Sequence, residues 1–183
     1  MAYDFSKLDA AIKETAEWLQ KEFTGIRTGR ATPTLLDVVK ADAYGSRTPV
    51  AQMANIMIED ARSLRIIPWD KSLNKAIEKA IIDADLGVGV ATDDQGLRVT
   101  FPELTAERRT MLARLAREKF EQARVTLRGH RTDALKDLDA AEKEGGMGAD
   151  ELKRLKDDVQ KKIDKGGEDL EALTKKKEAE IAS

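Results

Sequence analysis

Apolar residues recur at steps of three and four along three long stretches of the chain, with polar residues between them, as in amphipathic helices. In the first stretch Phe5, Leu8, Ile12, Ala16, Leu19, Phe23 and Ile26 keep this rhythm and predict a helix over most of residues 4–28. In the second, Leu112, Ala116, Phe120, Ala123, Leu127, Ala134, Leu138 and Ala141 follow Thr105, whose hydroxyl suits an N-cap with Glu107 in the first turn. This helix is expected to stop at "EGGMG", where Gly145 and Gly146 suit a C-cap and turn. The third runs through Leu152, Leu155, Val159, Ile163, Leu170, Leu173 and Ile181. None of the three stripes can be buried by its own helix, so together they call for a bundle.

Between the first and second stretches the pattern changes. "TPTLLDVVKADAYGSRTPV" reads as extended segments around a Gly-Ser turn, and "NIMIED" and "SLRIIPWD" as short strands. "SLNKAIEKAIIDAD" reads as a short amphipathic helix capped by Ser72, and "LRVTF" as a further strand ended by Pro102. The fold class is therefore α+β, a discontinuous three-helix bundle from residues 1–30 and 105–183 with a β/α/β insert at 31–104. The chain crosses between the parts twice, at Arg30, Ala31, Thr32 and Pro33 and again at Pro102, Glu103 and Leu104. Such a double connection can act as a hinge.

With 183 residues, either part has enough chain to bury a core. The absence of cysteine removes disulfides, thiolate nucleophiles and thiolate metal sites together. The start "MAYDFSKLDA" has no secretory character, and no apolar run approaches membrane-spanning length. A cytoplasmic, monomeric protein without membrane contact is expected.

Charge is unevenly spread. Residues 105–136 hold nine Lys/Arg and four Asp/Glu, a net of +5 in a chain whose formal charge is −2. Turning about 100° per residue, Arg117, Arg124, Arg128 and Arg131 fall within roughly 60° of one another, beside the apolar seam. Charge runs usually mark only a solvated helix face. Here the like charges of Arg124, Arg128 and Arg131 are neighbours at helical spacing, and Arg outnumbers Lys seven to two in the window. Bidentate guanidinium suits phosphate, so RNA backbone contact is favoured. The scarcity of aromatics on this face argues for structured RNA read by shape and phosphate, and against base stacking.

Catalytic chemistry finds little support. His130 sits at the edge of the seam and has no second His or Cys to complete a metal or nucleophile site. "GVGV" at 87–90 follows a helix and lacks the Lys-Ser/Thr of a phosphate loop, so it reads as a turn. Asp93-Asp94 also reads as a turn, and Trp18 and Trp69 as packing residues. No metal, no cofactor and no enzymatic activity are expected.

"GIRTGRATPTLLD" at 25–37 resembles the signature of the ribosome recycling factor family. "YGSRTP", "IEKAI", "DLG", "LTAERR", "EQARV" and "DDVQK" follow in the family's order across nearly the whole chain. The resemblance implies a three-helix bundle and a β/α/β domain, L-shaped overall and similar in size to tRNA, joined by two flexible linkers. It implies binding to the large ribosomal subunit through rRNA after termination, and splitting of the subunits together with elongation factor G and GTP, the nucleotide being bound by the partner. By motif, Arg109, Arg128 and Arg131 stand where the family places rRNA-contacting arginines; Arg117 and Arg124 join them through the stripe. Arg27, Gly29 and Arg30 lie in the signature near the hinge, with RNA contact and structural bracing both open for the two arginines. The family commonly has Arg where this chain has Thr132, and Gly129, Gly166 and Gly167 interrupt helical stretches. The rival reading is a helical protein–protein interaction module without RNA binding, which predicts no salt-dependent RNA affinity.

Overall fold

The computed structural model describes residues 3–183. The chain divides into two compact units, one formed by Met1–Phe23 with Ala113–Ala179 and the other by Thr24–Leu112 with Glu180–Ser183.

The first unit is helical. It is built from α1 (Ser6–Thr24), α4 (Ala106–Lys143) and α5 (Ala149–Ala182), each assigned to it over most of its length. The Asp4 carboxylate accepts the Ser6 backbone N–H at 2.9 Å and starts α1. α4 begins at the expected cap, where the Thr105 hydroxyl accepts the Arg108 N–H at 3.1 Å. It ends in a Schellman turn, with the Gly146 N–H on the Ala141 carbonyl and the Gly145 N–H on that of Glu142. Gly145 supplies the left-handed residue of that turn at φ +77°.

The core residues are those of the periodic pattern. Leu8, Leu19, Phe23, Ala116, Phe120, Ala123, Leu127, Ala134 and Leu138 are buried against Leu152, Leu155, Val159, Ile163 and Leu170. Two threonines join them, Thr15 and Thr174, which the apolar pattern passes over. Each hydroxyl donates to the carbonyl one turn back, Ala11 at 2.9 Å and Leu170 at 2.8 Å, so neither enters the core unsatisfied. Gly166 is buried in the same seam because the helices meet there. A Cβ on it would lie 2.9 Å from Ile12 Cγ2 and 3.4 Å from Leu127 Cδ1. Gly129 has open space around it and only weakens the helix locally.

The seam of α5 runs through 152, 155, 159, 163, 166, 170, 174, 177 and 181, with steps of three, four and four. That eleven-residue spacing averages about 3.67 residues per turn, close to the α-helix's own 3.6, so the stripe drifts little along the helix.

The second unit holds β1 (Lys40–Ala43), β2 (Ser46–Pro49), the short α2 (Val50–Met53), β3 (Ala54–Asp60), β4 (Ser63–Pro68), α3 (Asn74–Asp83), β5 (Gly89–Asp93) and β6 (Gly96–Thr100). β1 and β2 form a hairpin, and the other four strands an antiparallel sheet ordered β3-β4-β6-β5. Leu64, Ile66, Leu97, Val99 and Phe101 turn inward and pack with Ile77 and Ile81 of α3 and with Leu35 and Leu36. On the opposite face Arg65 and Arg98 are direct cross-strand partners, a like-charge pair that would repel. Glu59 bridges them, at 2.9 Å to Arg65 and 2.7 Å to Arg98, and Asp93 holds Arg65 from the other side. Hydrogen bonds from Arg98 and then Arg65 bring the Glu59 carboxyl down to about 2.

Four local expectations need correction. Residues 33–38 form a 3-10 helix instead of an extended segment. Pro33 presets the first turn, and burying Leu35 and Leu36 together is incompatible with the alternation of a strand. "GVGV" is only half a turn: Gly87 takes φ +68°, but Gly89 already starts β5. Asp70, whose carboxylate accepts the Ser72 N–H at 2.8 Å, caps the 3-10 turn Lys71–Leu73 that leads into α3, so Ser72 is the capped residue, and Leu73 at the N-cap of α3 itself has no side-chain cap bond. Trp69 is 72% exposed, since the alternation that buries Pro68 turns the next side chain outward.

Candidate nucleic-acid interface

The α4 seam decides where the arginines stand. Burying Ala116, Phe120, Ala123, Leu127 and Ala134 leaves Arg117, Arg124, Arg128 and Arg131 on the adjoining flank, all four exposed. The structure thus brings these four together on one face of the first unit. Arg109 belongs to the other unit, half-buried, its Nε shielded from solvent without an acceptor.

The four are not equivalent. The Arg117 guanidinium meets Glu178 through Nε and Nη2 and lies 3.4 Å from Glu171, so two α5 carboxylates neutralise it. Its pKa is pushed up, first by the hydrogen bond from Glu178. Arg124 pairs with Glu121 one turn back at 2.9 Å. Both guanidiniums also stack near the Phe120 ring, at 5.7 Å and 5.6 Å from its centroid. Among the described residues, the guanidiniums of Arg128 and Arg131 have neither a carboxylate partner nor a ring beneath them. They flank an open groove whose floor is Phe120, Leu127, Ile163 and Gly167 and whose far bank is Gln160, Asp164, Glu168 and Glu171.

His130 is half-buried at the edge of this seam. Thr15 already donates to Ala11, so its hydroxyl accepts the Nε2–H of His130 at 3.1 Å. The ring therefore braces α4 against α1. Among the described residues, no group of three or more His, Cys, Asp or Glu is placed to hold a metal ion. No helix is long and apolar enough to cross a membrane.

The signature residues resolve differently. Arg27 is buried in the second unit, donating through Nη1 to the Gly87 carbonyl at 2.8 Å and through Nη2 to that of Pro102, with the Phe101 ring 5.8 Å away. Burial lowers its pKa, with a smaller push from Arg108. Of the two roles left open, the geometry of Arg27 is that of bracing: it ties the loop after α3 to the exit of β6. Gly29 approaches the Ser183 carbonyl, 3.2 Å from where a Cβ would stand, and Arg30 is exposed. Of the connecting residues, Ala31 and Leu104 are buried, and the Ala31 N–H donates to Ala61 at 3.0 Å. Thr32 precedes the 3-10 helix that Pro33 opens, while Arg62 pairs with Glu103 and Pro102 accepts from Arg27. The acidic bank on α5 went unread in the sequence, although the four-, three- and seven-residue steps of Asp164, Glu168, Glu171 and Glu178 were there as its signal.

A helical unit with an outward arginine face, together with a small antiparallel α+β unit, defines a protein that works by surface recognition. The chain belongs to the ribosome recycling factor family, whose model matches residues 19–182. The ribosome-recycling factor of Heliobacterium modesticaldum is 44% identical over 170 residues, which is 93% of this chain and 92% of that protein. That of Pelotomaculum thermopropionicum is 43% identical over 173 residues, 94% of each chain. A solution structure of a ribosome recycling factor aligns over 100% of this chain and 99% of its own, with a TM-score of 0.78 and 33% identity. A second match covers 98% of this chain and 97% of its own, with a TM-score of 0.69 and 37% identity. It belongs to models of the Thermus thermophilus ribosome recycling factor and the Escherichia coli elongation factor G bound to the E. coli post-termination complex. The family consists of non-enzymatic translation factors, and ribosome recycling is its role.

Proposed function

We propose that this protein binds the large ribosomal subunit after termination through rRNA and, with elongation factor G and GTP, splits the post-termination complex. The observation that carries the reading is the pair Arg128 and Arg131, exposed on a long helix and without carboxylate partners among the described residues. Guanidiniums in that condition suit phosphate oxygens, and their neighbours' like charge favours an anion opposite. Arg124 joins them at the cost of its Glu121 pair, and Arg109 adds a contact from the start of α4. Arg117, closed off by Glu171 and Glu178, contributes least. The relative seen with elongation factor G on a post-termination complex supports the choice of partners. The protein acts in the cytoplasm as a monomer, catalyses no bond chemistry, and draws its driving energy from the partner's GTP hydrolysis.

In this reading residues 1–30 and 105–183 anchor, while residues 31–104 move on the two connections Arg30–Pro33 and Pro102–Leu104. The test is a subunit-splitting assay with elongation factor G and GTP, comparing the wild type with Arg128→Ala and Arg131→Ala. Both variants are expected to lose large-subunit affinity, most at low salt and less as salt rises, and to split more slowly. Wild-type binding and splitting by both would overturn the reading and leave the helical interaction module.

A further inference from the structure

The arginine ridge and the acidic bank of α5 are two charged rows in antiparallel register. Arg117 lies between Glu171 and Glu178, and Asp139 pairs with Lys156 at 2.6 Å. Arg117 and Asp139 are 22 residues apart on α4, as are Glu178 and Lys156 on α5, so the two helices keep one register over that length. Carrying the register of the Arg117–Glu178 and Asp139–Lys156 pairs along the two helices sets Arg124 level with Glu171, Arg128 with Gly167 and Arg131 with Asp164, and all six line the same groove. The ridge is therefore graded. It is neutralised at Arg117, while at Arg128 and Arg131 it is opposed across the groove by Asp164 and Glu168 without an ion pair. Gln160 also donates from Nε2 to Asp164 at 2.6 Å, which turns that carboxylate along α5.

We propose that Asp164 and Glu168 are specificity-determining residues that screen the ridge against indiscriminate polyanions. Resting on the RNA reading above, this assigns the acidic bank a role in selecting the ligand. A phosphate settling in the groove meets the carboxylate row as well as the arginines, and the two fields oppose each other. A phosphate approaching along the outer flank of α4, away from the groove, meets the arginines with the row on the far side of them. Only a rigid RNA surface whose phosphates follow that flank collects the full attraction. A flexible or irregular polyanion gives part of it back to the row. Like-charge repulsion of this kind costs a wrong partner more than it costs the right one.

The experiment uses the full-length chain carrying Asp164→Asn with Glu168→Gln, and separately Gln160→Glu. Binding is measured to purified large ribosomal subunits and to a non-ribosomal RNA duplex of random sequence, across a range of salt. The amide pair is expected to bind the duplex roughly fivefold tighter at low salt, while affinity for the subunit changes by less than about twofold. Gln160→Glu adds one more carboxylate to the row and is expected to weaken subunit binding several-fold. Thermal melts matching the wild type confirm that all variants fold, as expected of isosteric changes on an exposed helix face. Unchanged duplex affinity in the amide pair would overturn the proposal. Arg128→Ala with Arg131→Ala in parallel separates the two readings. If that variant loses subunit binding while the amide pair stays indifferent to the duplex, only the screening role falls; if it retains subunit binding, the RNA interface itself falls.

Discussion

Arg27 and Arg131 have the same guanidinium, held in opposite ways. Arg27 is buried in the second unit with two carbonyls and a ring around it, while Arg131 stands exposed on the first with no carboxylate partner among the described residues. A buried cation with fixed acceptors stabilises one conformation, and removing it leaves two loop carbonyls without their donor. An exposed cation contributes almost nothing to the fold. What it retains is a free set of donors for a ligand. Sequence motif places both residues among the family's arginines; only their surroundings separate a brace from a contact.

The contrast is tested most sharply by Arg27→Ala, which is expected to cost about 3 kcal/mol in urea denaturation through two lost charge-assisted hydrogen bonds and a filled site emptied. A wild-type midpoint would mean that the clamp holds nothing. Next comes Gly166→Ala, whose methyl collides with Ile12 and is expected to destabilise the first unit by about 1–3 kcal/mol, whereas Gly129→Ala, in open space, stabilises by up to ~1 kcal/mol. Opposite signs at two helical glycines are the result to look for. Acid provides a third probe, on the second unit alone. The Glu59 carboxyl drops from 4.5 in the unfolded chain to about 2 when folded, so its contribution is full above about 4.5 and is lost as pH falls toward 2. Glu59→Gln should flatten that part of the stability profile by lowering stability at neutral pH and leaving it nearly unchanged near pH 2. Smallest of all, Arg131→Ala should shift stability by less than about 0.5 kcal/mol while reducing the salt slope of RNA binding by about one.

The three long helices were legible because each buries a continuous stripe at helical period, and the caps at Thr105 and Gly145 were legible because they are local. Of the strands, β6 (Gly96–Thr100) showed through the alternation in "LRVTF", and β3 (Ala54–Asp60) through the β-rich run "NIMIED". What escaped was set by partners distant in sequence. Nothing near Arg117 announces Glu178, 61 positions away, and the pair exists only because α4 and α5 fold back in one register. Arg27 gave no local sign of burial, since its acceptors Gly87 and Pro102 arrive from 60 and 75 residues on. Gly166 reads in sequence either as a weak point in the helix or, on the seam step between Ile163 and Leu170, as a point of close approach, and the packed neighbours select the second. β5 was hidden because its first residue, Gly89, has no side chain to alternate and stands beside Gly87 in a stretch that reads as a turn.

The pitch of the α5 seam carries one more implication. Because the buried stripe repeats almost at the helix's own natural turn, azimuth along α5 is set by residue count alone. Removing a single residue between Leu155 and Asp164 would rotate every carboxylate beyond it by about 100° relative to the part before. Such a deletion would leave composition and net basicity of the ridge untouched, yet swing the acidic bank off the groove or drive it into the core. Residue count, more than charge content, thus decides where the acidic bank stands on this helix.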